Sequence, residues 1–313
     1  MQVRLGLFSP LVQNAANAVI LAGITASRIG FSKKPLKSEK KFDAGYGHVA
    51  TTTAADHIAQ RMILRFLSRR SHQARFLTEE KAEKMDAKIV QGVITAKDFH
   101  TIAQGVVYGI DPIDGTSMFK NRLWEWSSSV GVMVDGQHIG GAIFAPMLRG
   151  GILLVGERGK GVMMFENSGK VKSRPVVPFN QKPKDSVVYI GPDIFFLNKF
   201  APFMSEIGPQ LRTMNCTGSC AVGLAYVAAG RIDALIQPAQ KAWDWFAGYP
   251  LVEGVGGKMQ CYHYRDGAIV PLNAPDIASY DPSCPNMAFI AGVPSLVDFL
   301  FETLKKTYQV SAA

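Results

Sequence analysis

The sequence has few cysteines for its length. The four that it contains are too few and too scattered for a secreted scaffold held together by disulfides: Cys216, Cys220, Cys261 and Cys284. No Cys-x-x-Cys pair or spaced pair of histidines completes a zinc site around them. We therefore expect a reducing compartment and a packing role for these residues.

Long hydrophobic runs are also absent. The N-terminal stretch over residues 5–29 is largely apolar, but Gln13, Asn14 and Asn17 interrupt it, and it has no signal-peptide pattern. Apolar residues recur there at helical spacing, which predicts an amphipathic helix packed on the core. No other stretch approaches the roughly 18 apolar residues of a membrane span. We therefore expect a soluble protein in the cytoplasm, with no membrane partner.

Acidic residues are fewer than basic ones, 25 against 34, so the 313-residue chain carries a net charge of +9. Nucleic acid, an anionic membrane surface and a phosphorylated small substrate are all compatible with this balance. Five lysines lie within residues 32–47. This stretch is typical of a mobile, solvated loop, and the alternative is that some of its lysines contact an anionic substrate.

Common catalytic motifs are missing as well. The sequence contains no Gly-x-Ser-x-Gly, no His-Glu-x-x-His and no Walker-type phosphate loop. Its six histidines form no cluster with ligand spacing.

The pattern of strands and helices divides the chain into two lobes. Alternating runs around Asp135-Gly136 predict an antiparallel hairpin within an α+β lobe over residues 1–180. From Val187 onward strands and helices alternate, which predicts an α/β lobe over residues 181–313. Single helices are expected over residues 219–229, 244–255 and 295–307.

Two acids follow a β-rich run in the segment Asp111-Pro112-Ile113-Asp114-Gly115-Thr116. If a helix begins here, the unpaired N–H groups of Gly115 and Thr116 form an anion site. Carboxylates beside a bound phosphate would repel it unless cations lie between them. Since Mg²⁺ prefers carboxylate and phosphate oxygens, the segment indicates a metal-assisted phosphate site.

Further acids occupy similar positions elsewhere in the chain. Asp244 follows Trp243 at a predicted helix start, before a glycine-rich stretch that ends in Gly256-Gly257. Upstream, Glu79 and Glu80 follow an apolar pair, and Asp56 lies at the start of the second helix.

Together these motifs resemble the inositol monophosphatase family, which belongs to the Mg²⁺-dependent, lithium-sensitive phosphatases. The larger group includes fructose-1,6-bisphosphatases and 3′-phosphonucleotide phosphatases. The resemblance spans nearly the whole chain, in the family's motif order. It implies a layered αβαβα sandwich with an antiparallel sheet and two helices in the N-terminal lobe. It also implies two to three Mg²⁺ ions and a homodimer.

The resemblance assigns roles residue by residue. It implies that Glu79, Asp111 and the Ile113 carbonyl hold one Mg²⁺, that Asp111, Asp114 and Asp244 hold a second, and that Glu79 shares a third. Gly115 and Thr116 would bind phosphate, and Asp56, Thr116 and Glu79 would act in catalysis. The residues on the substrate side would be Gly218, Ser219, Gln237 and Asp244.

Several residues depart from the family pattern. Thr78 replaces the usual glycine before Glu79, so Glu80 is the alternative upstream ligand. Gln237 stands where inositol-specific members carry a glutamate, and an amide is uncharged and also donates. Lys241 would add positive charge near the pocket, unless it is an ordinary surface lysine. Both residues leave selectivity for inositol open.

We therefore expect a Mg²⁺-dependent phosphomonoesterase that uses metal-activated water on a small polyol phosphate. Inositol 1-phosphate is the first candidate. The alternatives are fructose 1,6-bisphosphate, histidinol phosphate and 3′-phosphoadenosine 5′-phosphate. Another alternative is a regulatory member that binds RNA or protein with residual catalysis, although nucleic acid is not the partner that the intact aspartates favour.

Overall fold

Two seven-stranded sheets and the helices that cover them form the fold in the computed structural model of the chain. The structure describes residues 5–32, 36, 38–43, 48–80, 87–94, 104–167, 171–175, 182–192, 200–276 and 287–310.

The first sheet has the strand order β3-β4-β5-β6-β7-β8-β9. Its strands are β3 (Arg75–Thr78), β4 (Val106–Asp114), β5 (Ser127–Val134), β6 (Gln137–Ala145), β7 (Ile152–Glu157), β8 (Gly161–Asn167) and β9 (Val171–Pro175). Strand β3 runs parallel to β4, and the other neighbours are antiparallel. Asp135 and Gly136 join β5 to β6 with φ values of +47° and +78°, so this tight turn confirms the predicted hairpin.

Two long helices pack against this sheet, α1 (Pro10–Gly30) and α2 (Ala54–Ser68). Small residues on the buried face of α1, such as Ala15, Ala18 and Ala22, let it lie close to the sheet. Before α2, a hairpin pairs β1 (Ser38–Asp43) with β2 (His48–Thr53). Residues 38–43 are thus a strand, and the expectation of a loop over that part of residues 32–47 was wrong. Residues 33–35, 37 and 44–47 lie outside the described part of the chain. Two short helices complete this half, α3 (Ala87–Gly92) and α4 (Thr116–Lys120).

The second sheet has the strand order β11-β10-β12-β15-β13-β14-β16. Its strands are β10 (Val187–Ile190), β11 (Thr213–Cys216), β12 (Ala234–Gln240), β13 (Lys258–Arg265), β14 (Ala268–Leu272), β15 (Met287–Gly292) and β16 (Gln309–Val310). Strand β10 is parallel to β11 and β12, β14 is parallel to β16, and the remaining pairs are antiparallel.

Helices lie between the two sheets and outside the second one. The outer helices, α5 (Ala201–Ile207) and α9 (Pro294–Thr307), share a core with the second sheet. The helices in between are α6 (Cys220–Ala228), α7 (Ala242–Trp245) and α8 (Gly248–Gly254). Their core residues contact both sheets, because Leu224 and Phe246 cluster with Val107 on one side and Phe289 on the other. These layers confirm the predicted αβαβα sandwich.

A row of glycines lets the central helices approach the first sheet. Gly109, Gly131 and Gly141 lie directly opposite one another on β4, β5 and β6. A Cβ atom on Gly131 would overlap the backbone of Phe246, and one on Gly141 would lie 2.8 Å from the carbonyl oxygen of Ala247. Such distances are below any normal contact, so only glycine fits here. The segment that follows α7 therefore lies on bare backbone.

Two predicted boundaries differ from the observed ones. The helix expected over residues 244–255 is two short helices, α7 and α8. Phe246 and Ala247 between them keep helical backbone angles, but Pro250 has no N–H to donate to the Phe246 carbonyl, which interrupts the helix. The strand expected to stop at Asp111 continues through a bulge to Asp114. Between the sheets, residues 176–181 lie outside the described chain, and the division at residues 180 and 181 stays a prediction. Within the described residues, no helix is long and apolar enough to cross a bilayer.

Candidate active site

The end of β4 forms one wall of the site. Asp111 accepts a 3.0 Å hydrogen bond from the Ile113 amide, and Ser128 donates a 2.6 Å bond to the Pro112 carbonyl. These bonds fix the bulge that lies between Asp111 and Asp114. Both aspartates are buried, with 2% and 6% of their surface exposed.

Gly115 turns the chain from β4 into α4. Its φ of +86° is a left-handed conformation that glycine adopts without strain. A Cβ atom there would also lie 3.0 Å from Cβ of Ser219 and 3.1 Å from the Glu125 carbonyl oxygen. Gly115 is therefore required both by its backbone angle and by its neighbours.

Asp114 joins this wall to the second half of the molecule. Its carboxylate accepts hydrogen bonds from Ser219 Oγ at 2.7 Å, from the Cys220 amide at 3.2 Å and from the Ala221 amide. It thus caps the start of α6. Burial raises the pKa of Asp114 to about 6, although the Ser219 and backbone hydrogen bonds act in the opposite direction.

Asp244 completes the first acidic cluster from α7. One of its oxygens accepts a 2.8 Å bond from the Lys241 amide, so Asp244 caps its own helix. Each of Asp111, Asp114 and Asp244 places one carboxylate oxygen within 4.8 Å of those of the other two. The structure therefore brings together the three aspartates that the sequence singled out.

A second cluster adjoins the first and contains Asp56, Glu79 and Glu80. Asp56 accepts hydrogen bonds from Thr53 N at 2.8 Å and Thr53 Oγ1 at 2.5 Å, which closes a capping box at the start of α2. Thr116 lies between this cluster and β4, since its hydroxyl is 3.2 Å from Asp56 Oδ1 and 3.0 Å from the Ile113 carbonyl. Burial, opposed by the bonds from Thr53, raises the pKa of Asp56 to about 6.

The two glutamates of this cluster have different surroundings. The Glu80 carboxylate accepts a 2.7 Å bond from Thr52 and lies 3.8 Å from His57 Nδ1, and its backbone is held by the side chain of Gln60. Glu79 instead acts electrostatically on Asp111, whose pKa it raises. The two glutamates thus have different partners, although each offers a carboxylate oxygen to the same cluster.

The charges of the site fit divalent cations. Burial is the largest cause that raises the pKa of Asp111 well above its usual range, and the neighbouring Glu79, Asp114, Asp244 and Asp56 raise it further. Carboxylates that repel one another in a buried site are stabilised by a positive ion between them. Because the side-chain donors are oxygen atoms, the site suits hard cations such as Mg²⁺.

The residues predicted on the substrate side lie in tighter surroundings than expected. Gly218 faces Met118, since a Cβ atom there would lie 2.6 Å from Met118 Cε. Ser219 is buried, and its hydroxyl is bonded to Asp114. Gln237 is also buried, with its Oε1 against Gly191 and 3.2 Å from Gln240 Nε2.

Several supporting residues were not predicted from the sequence. Thr52 and Gln60 hold Glu80, and Thr53 holds Asp56. The spacing Thr53-x-x-Asp56 is that of a capping box, so this signal was available in the sequence. The long-range bonds to Glu80 have no local signal.

A layered αβαβα fold with two adjoining clusters of buried and half-buried carboxylates beside the Gly115 turn is the arrangement expected of a metal-dependent phosphatase. The sequence profile described as "Inositol monophosphatase family" matches residues 10–289. The chain belongs to this family, whose members are phosphomonoesterases, and the resemblance noted from the motifs is confirmed.

Known relatives agree with this assignment. The chain is 27% identical over 229 residues to inositol monophosphatase 2 of Saccharomyces cerevisiae, which covers 70% of this chain and 72% of the relative. It is 30% identical over 213 residues to the Nus factor SuhB of Escherichia coli K12, with 66% and 69% covered. Its fold matches the crystal structure of the extragenic suppressor protein suhB from Bartonella henselae with a TM-score of 0.73 at 24% identity, over 95% of this chain and 99% of the other.

Proposed function

We propose that the protein hydrolyses the phosphate monoester of a small polyol in a Mg²⁺-dependent reaction, with inositol 1-phosphate as the first candidate. One observation carries the proposal: Asp111, Asp114 and Asp244 converge within 4.8 Å, next to Gly115 and Thr116. Members of the family with inositol monophosphatase in their names share most of the chain's length.

The metal ligands in this proposal are Glu79, Asp111, the Ile113 carbonyl, Asp114 and Asp244. Bound cations would supply a water of lowered pKa and charge stabilisation for the departing alkoxide. The chain's own part is to hold these ligands in place. Asp114 does so through its bonds to α6, and Asp244 through its bond to the Lys241 amide.

Thr116 and Asp56 would orient the attacking water. The Thr116 hydroxyl lies within donating distance of Asp56 Oδ1 and of the Ile113 carbonyl. A hydroxyl that donates to either acceptor keeps its lone pairs for a bond from water. Asp56, fixed by Thr53, would hold the threonine in that orientation. The amides of Gly115 and Thr116 would bind the phosphate.

Selectivity for the substrate would depend on the second half of the molecule. Gln237 is uncharged and faces Gly191 and Gln240, so it offers less to a ring hydroxyl than a glutamate would. Lys241 is 9% exposed at the start of α7. A buried positive charge there would favour a substrate with a second anionic group, such as fructose 1,6-bisphosphate or 3′-phosphoadenosine 5′-phosphate.

Phosphate release from a panel of esters with Mg²⁺ tests the proposal. The panel contains inositol 1-phosphate, fructose 1,6-bisphosphate, histidinol phosphate and 3′-phosphoadenosine 5′-phosphate, and Asp111→Asn serves as the inactive control. We expect inositol 1-phosphate to give the highest kcat/KM. If none of the esters is hydrolysed in the presence of Mg²⁺ or another divalent cation, the proposal is contradicted and a binding role is favoured.

The proposal includes the family's other properties. We infer two to three Mg²⁺ ions per chain, inhibition by lithium, a homodimer and a cytoplasmic location. Light scattering would measure the mass in solution, and a titration of activity with lithium would measure inhibition.

A further inference from the structure

Positive charge is concentrated on one segment of the chain. Between residues 57 and 78 the sequence has five arginines and no aspartate or glutamate. These arginines supply more than half of the net charge of +9. We call them the arginine face: Arg61, Arg65, Arg69, Arg70 and Arg75.

Three members of the arginine face form a line along α2. Arg61, Arg65 and Arg69 are four residues apart, so they lie on one side of the helix over about 12 Å. All three are exposed, whereas Ile63, Leu64 and Leu67 are buried against the core. The line of charge therefore faces away from the core.

The acids of the described residues do not pair with the arginine face. No carboxylate of the described residues forms a salt bridge with any of the five arginines. Two of them are oriented by other groups, since Arg70 Cζ lies 3.7 Å from the centroid of the Phe66 ring and Arg75 donates to the Gln104 carbonyl. The line of positive charge is therefore available to an anionic partner.

An open groove continues this line at the C-terminal end of α2. Its volume is about 970 Å³, and Arg65, Arg69, His72 and Arg75 are among the residues that line it. Ser71 and Gln91 add polar groups, whereas Phe76 and Ile89, which also line the groove, are buried and expose little apolar surface. A positively charged groove of this kind can follow the backbone of a single strand of nucleic acid.

The composition of the surface favours a nucleic acid over a lipid membrane. A peripheral membrane site combines basic residues with exposed large apolar ones that enter the bilayer. The exposed large apolar residues of the described chain are Leu7, Leu21, Phe31, Leu123 and Trp124, and none belongs to residues 57–78. The three arginines are about 6 Å apart along the helix, which is close to the distance between successive phosphates of an extended strand, so they can contact about three phosphates.

We propose that the arginine face and the adjoining groove bind the phosphate backbone of a single-stranded nucleic acid. The catalytic carboxylates lie at the other end of the same helix, because Asp56 is in the first turn of α2 and Arg69 follows its last residue, about 20 Å further along. A strand bound there leaves the active site open. Binding and ester hydrolysis are therefore separable.

Fluorescence anisotropy of a labelled oligouridylate of about 15 nucleotides tests the proposal on the full-length protein. The test variant is Arg61→Gln/Arg65→Gln/Arg69→Gln, since glutamine keeps the helix propensity. The matched control is Arg158→Gln/Arg212→Gln/Arg265→Gln, which removes the same charge from exposed arginines elsewhere. If the unmodified protein neutralises four phosphates of the oligouridylate, its affinity for the oligouridylate should fall about fiftyfold between 50 and 200 mM salt.

The test variant should bind at least about tenfold more weakly at 50 mM salt and have a log–log salt slope about 2 smaller. The affinity of the control variant should stay within about threefold of that of the unmodified protein, and both variants should keep their thermal midpoint and their phosphatase activity.

Equal losses of affinity in the two triple variants would overturn the proposal, because they would show a response to net charge alone. Binding to phosphatidylserine vesicles without binding to the oligouridylate would also overturn it. If the triple variant fails to fold, the pair Arg65→Gln/Arg69→Gln is compared with Arg158→Gln/Arg212→Gln.

Discussion

Ser219 donates a 2.7 Å hydrogen bond to Asp114, which lies 105 residues earlier in the chain. The same hydroxyl oxygen accepts a 3.1 Å bond from the Val222 amide, so Ser219 caps α6 while it orients Asp114. One buried side chain thus connects a strand of the first sheet to a helix between the sheets. This arrangement makes Ser219 a positioning residue.

Ser219→Ala should lower both stability and turnover. Loss of a helix cap and of a buried hydrogen bond costs about 1 kcal/mol in the free energy of unfolding. We expect kcat to fall about tenfold with little change in KM, since the hydroxyl contacts Asp114, a proposed metal ligand, and lies beside the Gly115 turn. Steady-state kinetics and urea denaturation measure both effects. Ser27→Ala, which removes a hydroxyl bonded within α1, is the control. A large rise in KM at unchanged kcat would instead show contact with substrate.

Asp114→Asn should leave a folded protein with at least about a hundredfold less activity, because a neutral amide replaces a charged ligand. In the absence of metal we expect only a small change in stability, because the loss of an acceptor for the amides of α6 is opposed by the removal of a buried charge. Burial raises the pKa of Asp114 to about 6, so the ionised carboxylate is unfavourable in the metal-free fold at neutral pH. Phosphate release and urea denaturation in EDTA measure the two properties, with the exposed Asp185→Asn as control. Near-normal turnover would contradict the metal assignment.

Gly131→Ala should destabilise the protein by about 3 kcal/mol or more. The added methyl group would overlap the Phe246 carbonyl, and backbone atoms cannot move aside as a flexible side chain does. Urea denaturation measures the change. Gly6→Ala is the control, because a Cβ atom on Gly6 meets nothing within 4 Å. Equal stabilities of the two variants would show that the segment after α7 is free to shift.

His138 predicts a pH dependence of stability. It packs against the rings of Trp245, Phe246 and Tyr249, and its Nδ1 has no hydrogen-bond partner in the described structure. Burial lowers its pKa to about 4, from about 6.5 in the unfolded chain. The folded state therefore binds fewer protons between these values. The stabilisation is complete above about pH 6.5 and is lost as the pH falls towards 4.

His138→Phe should remove this dependence. From about pH 7.5 to about pH 5, the unmodified protein should lose about 1 to 2 kcal/mol more than the variant. Urea denaturation at both pH values measures the difference, and the exposed His72→Gln should behave as the unmodified protein does. If the stability of His138→Phe and of the unmodified protein changes with pH in parallel, the ring takes up a proton in the folded state as readily as in the unfolded chain.

Local signals in the sequence predicted much of the fold. Helix α1 followed from apolar spacing, and the β5–β6 turn followed from Asp135-Gly136. Each feature depends on residues that are close in sequence, because the spacing of apolar residues determines the helix and the residue types of the turn determine the hairpin. The split of α7 from α8 was missed, although Pro250, which cannot donate to the Phe246 carbonyl, is a local signal for it.

The site was predicted in part. Asp111 and Asp114 follow from one short segment, and a family motif added Asp244. The convergence of these acids could not be derived from spacing, since it depends on how the two sheets meet. The surroundings of Gln237 could not be predicted either, because its contact with Gly191 arises from the pairing of β10 with β12. Thr52 and Gln60 hold Glu80 from 28 and 20 residues away in the chain, so no local sequence pattern links them to it.

The glycine row of β4, β5 and β6 sets how closely two parts of the catalytic centre approach each other. At Gly131 and Gly141 the backbone of the segment after Asp244 rests directly on the backbone of the sheet, so no side chain sets the distance between the two backbones there. A residue larger than glycine in that row would push the segment after α7 away from the first sheet. The distance between Asp244 and Asp111 would then increase, although neither acid would itself be changed.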